Sequence, residues 1–183
     1  CSGYFKGGIS VKKNLKEKIK KIKLLILDVD GVLTNGQIVL DHLGEEIKVF
    51  NVLDGFGMVL FRRYGHKTAI ISARSARAVT CRATDLEVDK IYQDANPKLD
   101  AYQQLLKEFH LKDDEVCFIG DDLPDLPLLR RVGFAVSVPN ATGDVKGIVH
   151  YITKRIGGEG AVREVVELIL KTQGKWKEVL ARY

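Results

Sequence analysis

The sequence predicts an α/β fold: a doubly wound, mostly parallel sheet with a β-hairpin projecting from it. Short apolar runs bounded by turn signals alternate with helical patterns along most of the chain. Polar residues collect just past the C-terminal ends of those runs, on the edge where open α/β sheets bind ligands. Two β-forming stretches, 37–40 and 46–50, flank a glycine-containing turn and supply the hairpin.

Taken in order, residues 1–10 are glycine-rich and read as a loose segment, followed by a single domain over 11–183. The chain starts at Cys1 rather than Met, which is compatible with a trimmed start. Val11, Leu15, Ile19 and Ile22 recur at helical spacing and mark an amphipathic helix. Leu24 to Leu27 is a four-residue apolar run that ends on Asp28 and Asp30. It is short and continuously apolar, as a strand buried on both faces should be. The hairpin follows, then NVLDGFG (Asn51 to Gly57) leads a short helix to Tyr64, closed by Gly65. Thr68 to Ile71 is a second buried strand, followed by a helix to about Thr84. Val88 to Tyr92 is a short strand, and Pro97 opens a helix whose core face is Leu99, Tyr102, Leu105, Leu106 and Phe109. Glu115 to Ile119 is a strand running into Gly120-Asp121-Asp122, and Pro124 begins a short helix through Arg131. Phe134 to Val138 and His150 to Ile152 are further strands. A glycine-rich loop, Gly157 to Gly160, precedes a helical tail over about 160–183, with one helix at Ala161 to Thr172 and a last one containing Trp176.

The bulk composition narrows the function classes. The chain has 183 residues, 45% hydrophobic and 29% charged, which suits one soluble globular domain with a real core. The net charge of +5 comes largely from lysines crowded into residues 12–23. That run lacks interleaved aromatics, so it reads as a solvated helix face rather than a nucleic-acid surface. No segment approaches the length of a bilayer span, and no signal peptide is visible. Three cysteines without CxxC spacing indicate neither a disulfide framework nor a zinc site, and a reducing cytoplasm is the expected compartment.

The chemistry-bearing residues sit at successive strand ends. The first strand ends in Asp28 and Asp30, and the second in Ser72. Lys98 opens the helix after the third, and the fourth ends in Asp121, with Asp122 and Asp125 close behind. Two carboxylates two residues apart are costly unless a cation neutralises them, and carboxylate oxygens suit magnesium. A carboxylate cluster, a hydroxyl and a lysine on one sheet edge suit phosphoryl transfer. Taken alone, Asp121, Asp122 and Asp125 would read as helix capping before Pro124. Lys98 sits at a helix start, where a positive charge opposes the helix dipole.

DVDGVLT, a strand ending in Ser72, then Lys98 and GDDLPD resemble the four motifs of the haloacid dehalogenase superfamily of phosphatases, in order from Asp28 to Asp125. The resemblance implies Asp28 as nucleophile and Asp30 as general acid and then base. It implies magnesium on Asp28, the backbone carbonyl of Asp30, and Asp121. Asp122 and Asp125 would support the metal shell, and Ser72 and Lys98 would hold the phosphoryl oxygens. Most members insert a large cap domain, but the intervals here leave room only for the hairpin, two helices and a short strand, so the chain resembles the capless subclass.

DVDGVLT-NG, NVLDGFG, ISARS and GGEGAVREV narrow the similarity to the 3-deoxy-D-manno-octulosonate 8-phosphate phosphatases. That family implies hydrolysis of the sugar phosphate and a homotetramer in which a neighbouring subunit helps close the site. Packing hairpins between subunits would also cover Ile38, Leu40, Ile47, Val49 and Phe50. Arg74, with Arg77 as competitor, is the candidate for the substrate carboxylate. Asp54, Gly55 and Thr34 are candidate sugar contacts, and the Gly157 to Gly160 loop is expected near the site. Two alternatives remain open: a phosphatase for another acid-sugar phosphate such as N-acetylneuraminate 9-phosphate, or a silent binding module of the same fold.

Overall fold

The computed structural model describes residues 13–183. The loose segment at 1–10 and Val11 lie outside the described residues. In chain order the elements begin with α1 (Lys13–Lys20), β1 (Leu24–Leu27), β2 (Val39–Leu40), β3 (Glu46–Ile47), α2 (Val52–Arg63) and β4 (Lys67–Ile71). They continue through α3 (Arg77–Asp85), β5 (Lys90–Tyr92), α4 (Lys98–Phe109), β6 (Val116–Ile119) and α5 (Leu126–Leu129). The last are β7 (Phe134–Ser137), α6 (Gly143–Lys146), β8 (Tyr151–Ile152), α7 (Ala161–Thr172) and α8 (Trp176–Ala181).

Six strands form one sheet in the order β5-β4-β1-β6-β7-β8, and every neighbouring pair is parallel. β1 lies at the centre, with Leu25 opposite Thr68 on one side and Cys117 on the other. From β1 the chain moves outward through β4 to β5. It then returns to the other flank of β1 and continues through β6, β7 and β8. The strand order therefore reverses between β1 and β6, and a crevice opens there at the C-terminal ends of the two strands.

The apolar runs form strands because both faces of the sheet are covered. All four side chains of β1 are fully buried, as are those of β6. Burying a Leu or Ile contributes about 1.5–3 kcal/mol, so these strands carry much of the core. α7 packs against α1 and α2, and α4 packs against α5. Between Thr34 and Ser72 the chain holds only β2, β3, α2 and β4, so no cap domain intervenes.

Two differences from the sequence reading have physical causes. The hairpin ladder is only two residues per strand, because it stands outside the main sheet with no third strand to extend it. Its turn is held instead by the Asp41 carboxylate, which accepts from the Leu43 and Glu45 N–H groups at 2.8 and 2.9 Å. NVLDGFG heads α2 as expected and forms its first turns. Asn51 is the N-cap, accepting from the Leu53 N–H at 2.8 Å. α6, four residues long, is too short to show a helical period and was not expected.

Candidate active site

Asp28 extends β1 by one ladder bond, its N–H donating to the Ile119 carbonyl at 3.0 Å. The chain then turns abruptly, with the N–H groups of Val32, Leu33 and Thr34 converging on the Val29 carbonyl at 2.9–3.3 Å. Thr34 Oγ1 accepts from the Gly31 and Gly36 N–H groups, which tightens the same turn. Gly31 has φ +89°, and a Cβ there would lie 2.1 Å from Asp121 Oδ2. This glycine lets the β1 loop approach the β6 loop closely enough to bring Asp28 and Asp121 together.

On the β6 side, Asp125 is buried and organises the loop. Its Oδ2 accepts from the Asp121 and Asp122 N–H groups at 2.8 and 3.3 Å. Its Oδ1 accepts from Lys98 Nζ at 2.6 Å. Lys98, first residue of α4, also donates to Asp28 Oδ1 at 2.7 Å. One buried ammonium thus bridges carboxylates from the ends of β1 and β6. Burial pulls its pKa down, but Asp28 and Asp125 outweigh that and hold it above the ordinary lysine value.

Asp28, Asp121 and Asp125 can each offer an oxygen within 4.8 Å of the others. Burial and the neighbouring Asp125 push the Asp28 pKa up, against the pull of Lys98. Burial, then Asp28 and Asp125, push Asp121 up as well. This is a site short of positive charge. Asp125 already spends both oxygens on Lys98 and the backbone, which leaves Asp28 and Asp121 as the pair that fits a cation. An all-oxygen donor set of this kind suits a hard divalent ion.

The crevice around these groups has a volume of about 280 Å³ and is also lined by Asp30, Ser72, Arg74 and Asp122. Ser72 is buried at the end of β4, and its Oγ accepts from the Arg74 N–H at 3.2 Å. Asp122 is exposed and caps the turn at Leu123. The Asp30 carboxylate is engaged by partners outside the Asp28–Asp121–Asp125 group. Its Oδ1 accepts from Lys48 Nζ at 2.5 Å, and Arg74 Nε lies 3.6 Å from its Oδ2. The Arg74 guanidinium is half exposed and also reaches Glu46. Arg77 is exposed at the start of α3.

Three expected sugar contacts are not among the residues lining this crevice. Asp54 is 1% exposed, and its two oxygens accept from the Gly160 and Arg163 N–H groups at 3.0 and 2.9 Å. It caps the N-terminus of α7 across a sequence gap of more than a hundred residues. Gly55 faces α3, where a Cβ would lie 2.3 Å from Arg82 Nη2. Thr34 is 3% exposed and committed to its own turn.

The glycine-rich loop backs the turn that follows Asp28. A Cβ on Gly157 would lie 1.7 Å from the Gly31 carbonyl oxygen, and the Gly158 N–H donates to the Val32 carbonyl at 2.9 Å. Asn140 links the two segments. Its Nδ2 donates to the Gly31 carbonyl and its Oδ1 accepts from the Gly157 N–H, both at 2.8 Å. Asn140 was missed in the sequence, although it follows the end of β7 and obeys the strand-end rule that found the others. Lys48 and Glu46 were missed for a different reason: charged residues in a hairpin read as solvated.

Residues 80–165 match the haloacid dehalogenase-like hydrolase family. The chain is 40% identical over 168 residues to the 3-deoxy-D-manno-octulosonate 8-phosphate phosphatase of Escherichia coli (strain B / BL21-DE3), covering 92% of this chain and 89% of the relative. It is also similar to the crystal structure of the enzyme of that name from Moraxella catarrhalis, in complex with magnesium ion, phosphate ion and a KDO molecule. There the TM-score is 0.89 at 42% identity, over 92% of this chain and 97% of the other. The corresponding structure from Yersinia pestis gives a TM-score of 0.88 at 40% identity, over 90% and 89%.

Proposed function

The chain belongs to the haloacid dehalogenase-like hydrolases, in the family of the 3-deoxy-D-manno-octulosonate 8-phosphate phosphatases, and on that premise we propose that it hydrolyses this sugar phosphate to the free eight-carbon sugar acid and phosphate, for lipopolysaccharide precursor synthesis. It is a phosphoric monoester hydrolase. One observation carries the reading: Lys98 bridges Asp28 and Asp125 where the strand order reverses, with Asp121 completing a group of three carboxylates that this one ammonium cannot balance.

The proposed course uses the residues as follows. An Asp28 oxygen attacks phosphorus, forming an aspartyl phosphate as the ester P–O bond breaks. Asp30, protonated, gives its proton to the departing sugar oxygen. It then takes a proton from the water that attacks the phosphoaspartate, which releases phosphate and regenerates Asp28. Ser72 Oγ and Lys98 Nζ hold phosphoryl oxygens, and Lys98 keeps Asp125 as its second partner throughout. Asp28, Asp121 and the Asp30 carbonyl are the proposed magnesium ligands, with Asp122 and Asp125 supporting them. Bound magnesium supplies positive charge opposite the phosphoryl oxygens. Arg74, half exposed on the crevice wall, is the proposed partner of the substrate carboxylate.

The proposed assembly is a homotetramer whose neighbouring subunits complete an otherwise open crevice. The hairpin supports it, with Ile38, Leu40, Leu43, Ile47 and Val49 all exposed on one small projection. The proposed compartment is the cytoplasm. Among the described residues Cys81 and Cys117 are free, and no helix is long and apolar enough to cross a membrane.

The test is phosphate release across a panel of acid-sugar phosphates, with and without magnesium. The octulosonate 8-phosphate should be turned over best and only with the metal. Asp28→Asn should lose at least about 10⁴-fold in kcat while keeping its melting temperature within a few degrees. Turnover retained by Asp28→Asn would defeat the nucleophile assignment.

A further inference from the structure

Lys48 lies on the hairpin, where a lysine would be expected to point into water. Its side chain is instead 1% exposed. The ammonium donates to Asp30 Oδ1 at 2.5 Å and to Glu46 Oε1 at 2.7 Å. Glu46 is fixed in turn by Arg74, whose Nη2 lies 3.3 Å from Glu46 Oε2. Burying a lysine is expensive unless it is paired, and pairing within the hairpin would have needed only Glu46. The second bond reaches out of the hairpin to Asp30, 18 residues earlier.

Asp30 needs such a partner. Asp28 is fixed by the strand ladder and by Lys98, whereas Asp30 sits beyond the strand on a turn, where no ladder bond fixes its direction. A proton donor misplaced by about an ångström can lose about a hundredfold in rate. Lys48 and Arg74 are the side chains in contact with that carboxylate. Arg74 is half exposed and longer-ranged at 3.6 Å, while Lys48 is buried and close.

We propose that Lys48, itself held by Glu46, is a positioning residue that aims the Asp30 carboxylate at the departing oxygen. The hairpin is then part of the proton-transfer apparatus. This rests on the phosphatase reading above, and the test separates the two.

The readout is kcat/KM, which reports the steps through ester cleavage, for two substrates differing in their need for an acid. An alkyl sugar phosphate releases a basic alkoxide that requires the proton, whereas p-nitrophenyl phosphate releases a weakly basic aryloxide that does not. With Lys48→Met, the alkyl ester should lose about a hundredfold and the aryl ester less than about fivefold, since a general acid contributes about 10²–10⁴. Lys48→Arg should recover most of the alkyl activity. Glu46→Gln keeps the hairpin atoms and loosens only the grip on Lys48, so it should give a smaller loss with the same leaving-group bias. It serves as the test if Lys48→Met fails to fold. Equal losses on both esters, or no loss on either, would overturn the assignment. A wild-type protein that cleaves neither ester with magnesium present would instead overturn the phosphatase reading.

Discussion

Asp121 is the residue whose environment most clearly demands something the chain does not itself supply. Burial, Asp28 and Asp125 all favour its protonated form, and its pKa is pushed up to about 8. A carboxyl with a raised folded-state pKa holds its proton more tightly when folded than unfolded, so stability falls as pH rises towards that value. His66 works in the opposite sense, since burial lowers its pKa to about 4. That contribution is nearly spent at pH 6.5, where an unfolded histidine is already half neutral, and is gone by about pH 7.5, so it offsets little of the carboxyls' effect above pH 6.5. The melting temperature of metal-free protein should therefore fall between pH 6.5 and 8.5. The fall should be a few degrees, at about 2–4 °C per kcal/mol for a chain of this size. Magnesium should raise it more at pH 8.5 than at 6.5, because it binds the deprotonated pair. Thermal scans of wild type and Asp121→Asn check this: the variant should lose both the slope and the magnesium response. A slope that survives in Asp121→Asn would place the frustration elsewhere.

Among the elements, α7 shows how a carboxylate can look like a binding residue and serve as a cap. Asp54 lies in a glycine-flanked stretch beside the expected site, and from sequence alone a sugar contact was a reasonable expectation. Its partners are N–H groups at Gly160 and Arg163, 106 and 109 residues away, and no local pattern could announce them. Asp54→Ala should leave two helix-start donors unsatisfied and cost about 1–3 kcal/mol. Chemical denaturation should register that loss. kcat at low temperature should stay within about threefold of wild type, because Asp54 does not line the crevice. The strands were more legible. β1, β4, β6 and β7 are short apolar runs because they are covered on both faces, and each appeared within a residue or two of its expected bounds. The hairpin was legible as a hairpin but not in its extent, since two strands without a third have little to fix their length. Lys48 was illegible because its burial depends on Asp30, a partner from a different element.

For the whole molecule, the sheet order gathers the site. Strand ends scattered from Asp28 to Asp125 meet because the winding reverses between β1 and β6. That convergence could be read from the rhythm of strands and helices. The sheet order itself could not, since an apolar run carries no label for its neighbour. The surface leaves one feature unanswered in a single chain. Leu43 and Val49 are about three-quarters exposed, on a projection otherwise tied down through Lys48. Light scattering should give about four times the chain mass for wild type, and Leu40→Asp combined with Ile47→Lys should reduce it. A wild-type monomer at micromolar concentration would defeat the tetramer.

The brace behind the turn that follows Asp28 has a consequence for how the enzyme is made. Asn140 grips the Gly31 carbonyl, and Gly158 grips Val32, so the turn bearing Asp28 and Asp30 leans on chain more than a hundred residues downstream. During synthesis the N-terminal part emerges first and must wait for that support. A nascent chain halted after Asp125 would already carry every proposed catalytic carboxylate and still lack the backing that sets their turn. The proposed catalytic carboxylates are all made by residue 125, but the turn that carries two of them is backed only once residues 140–158 have followed.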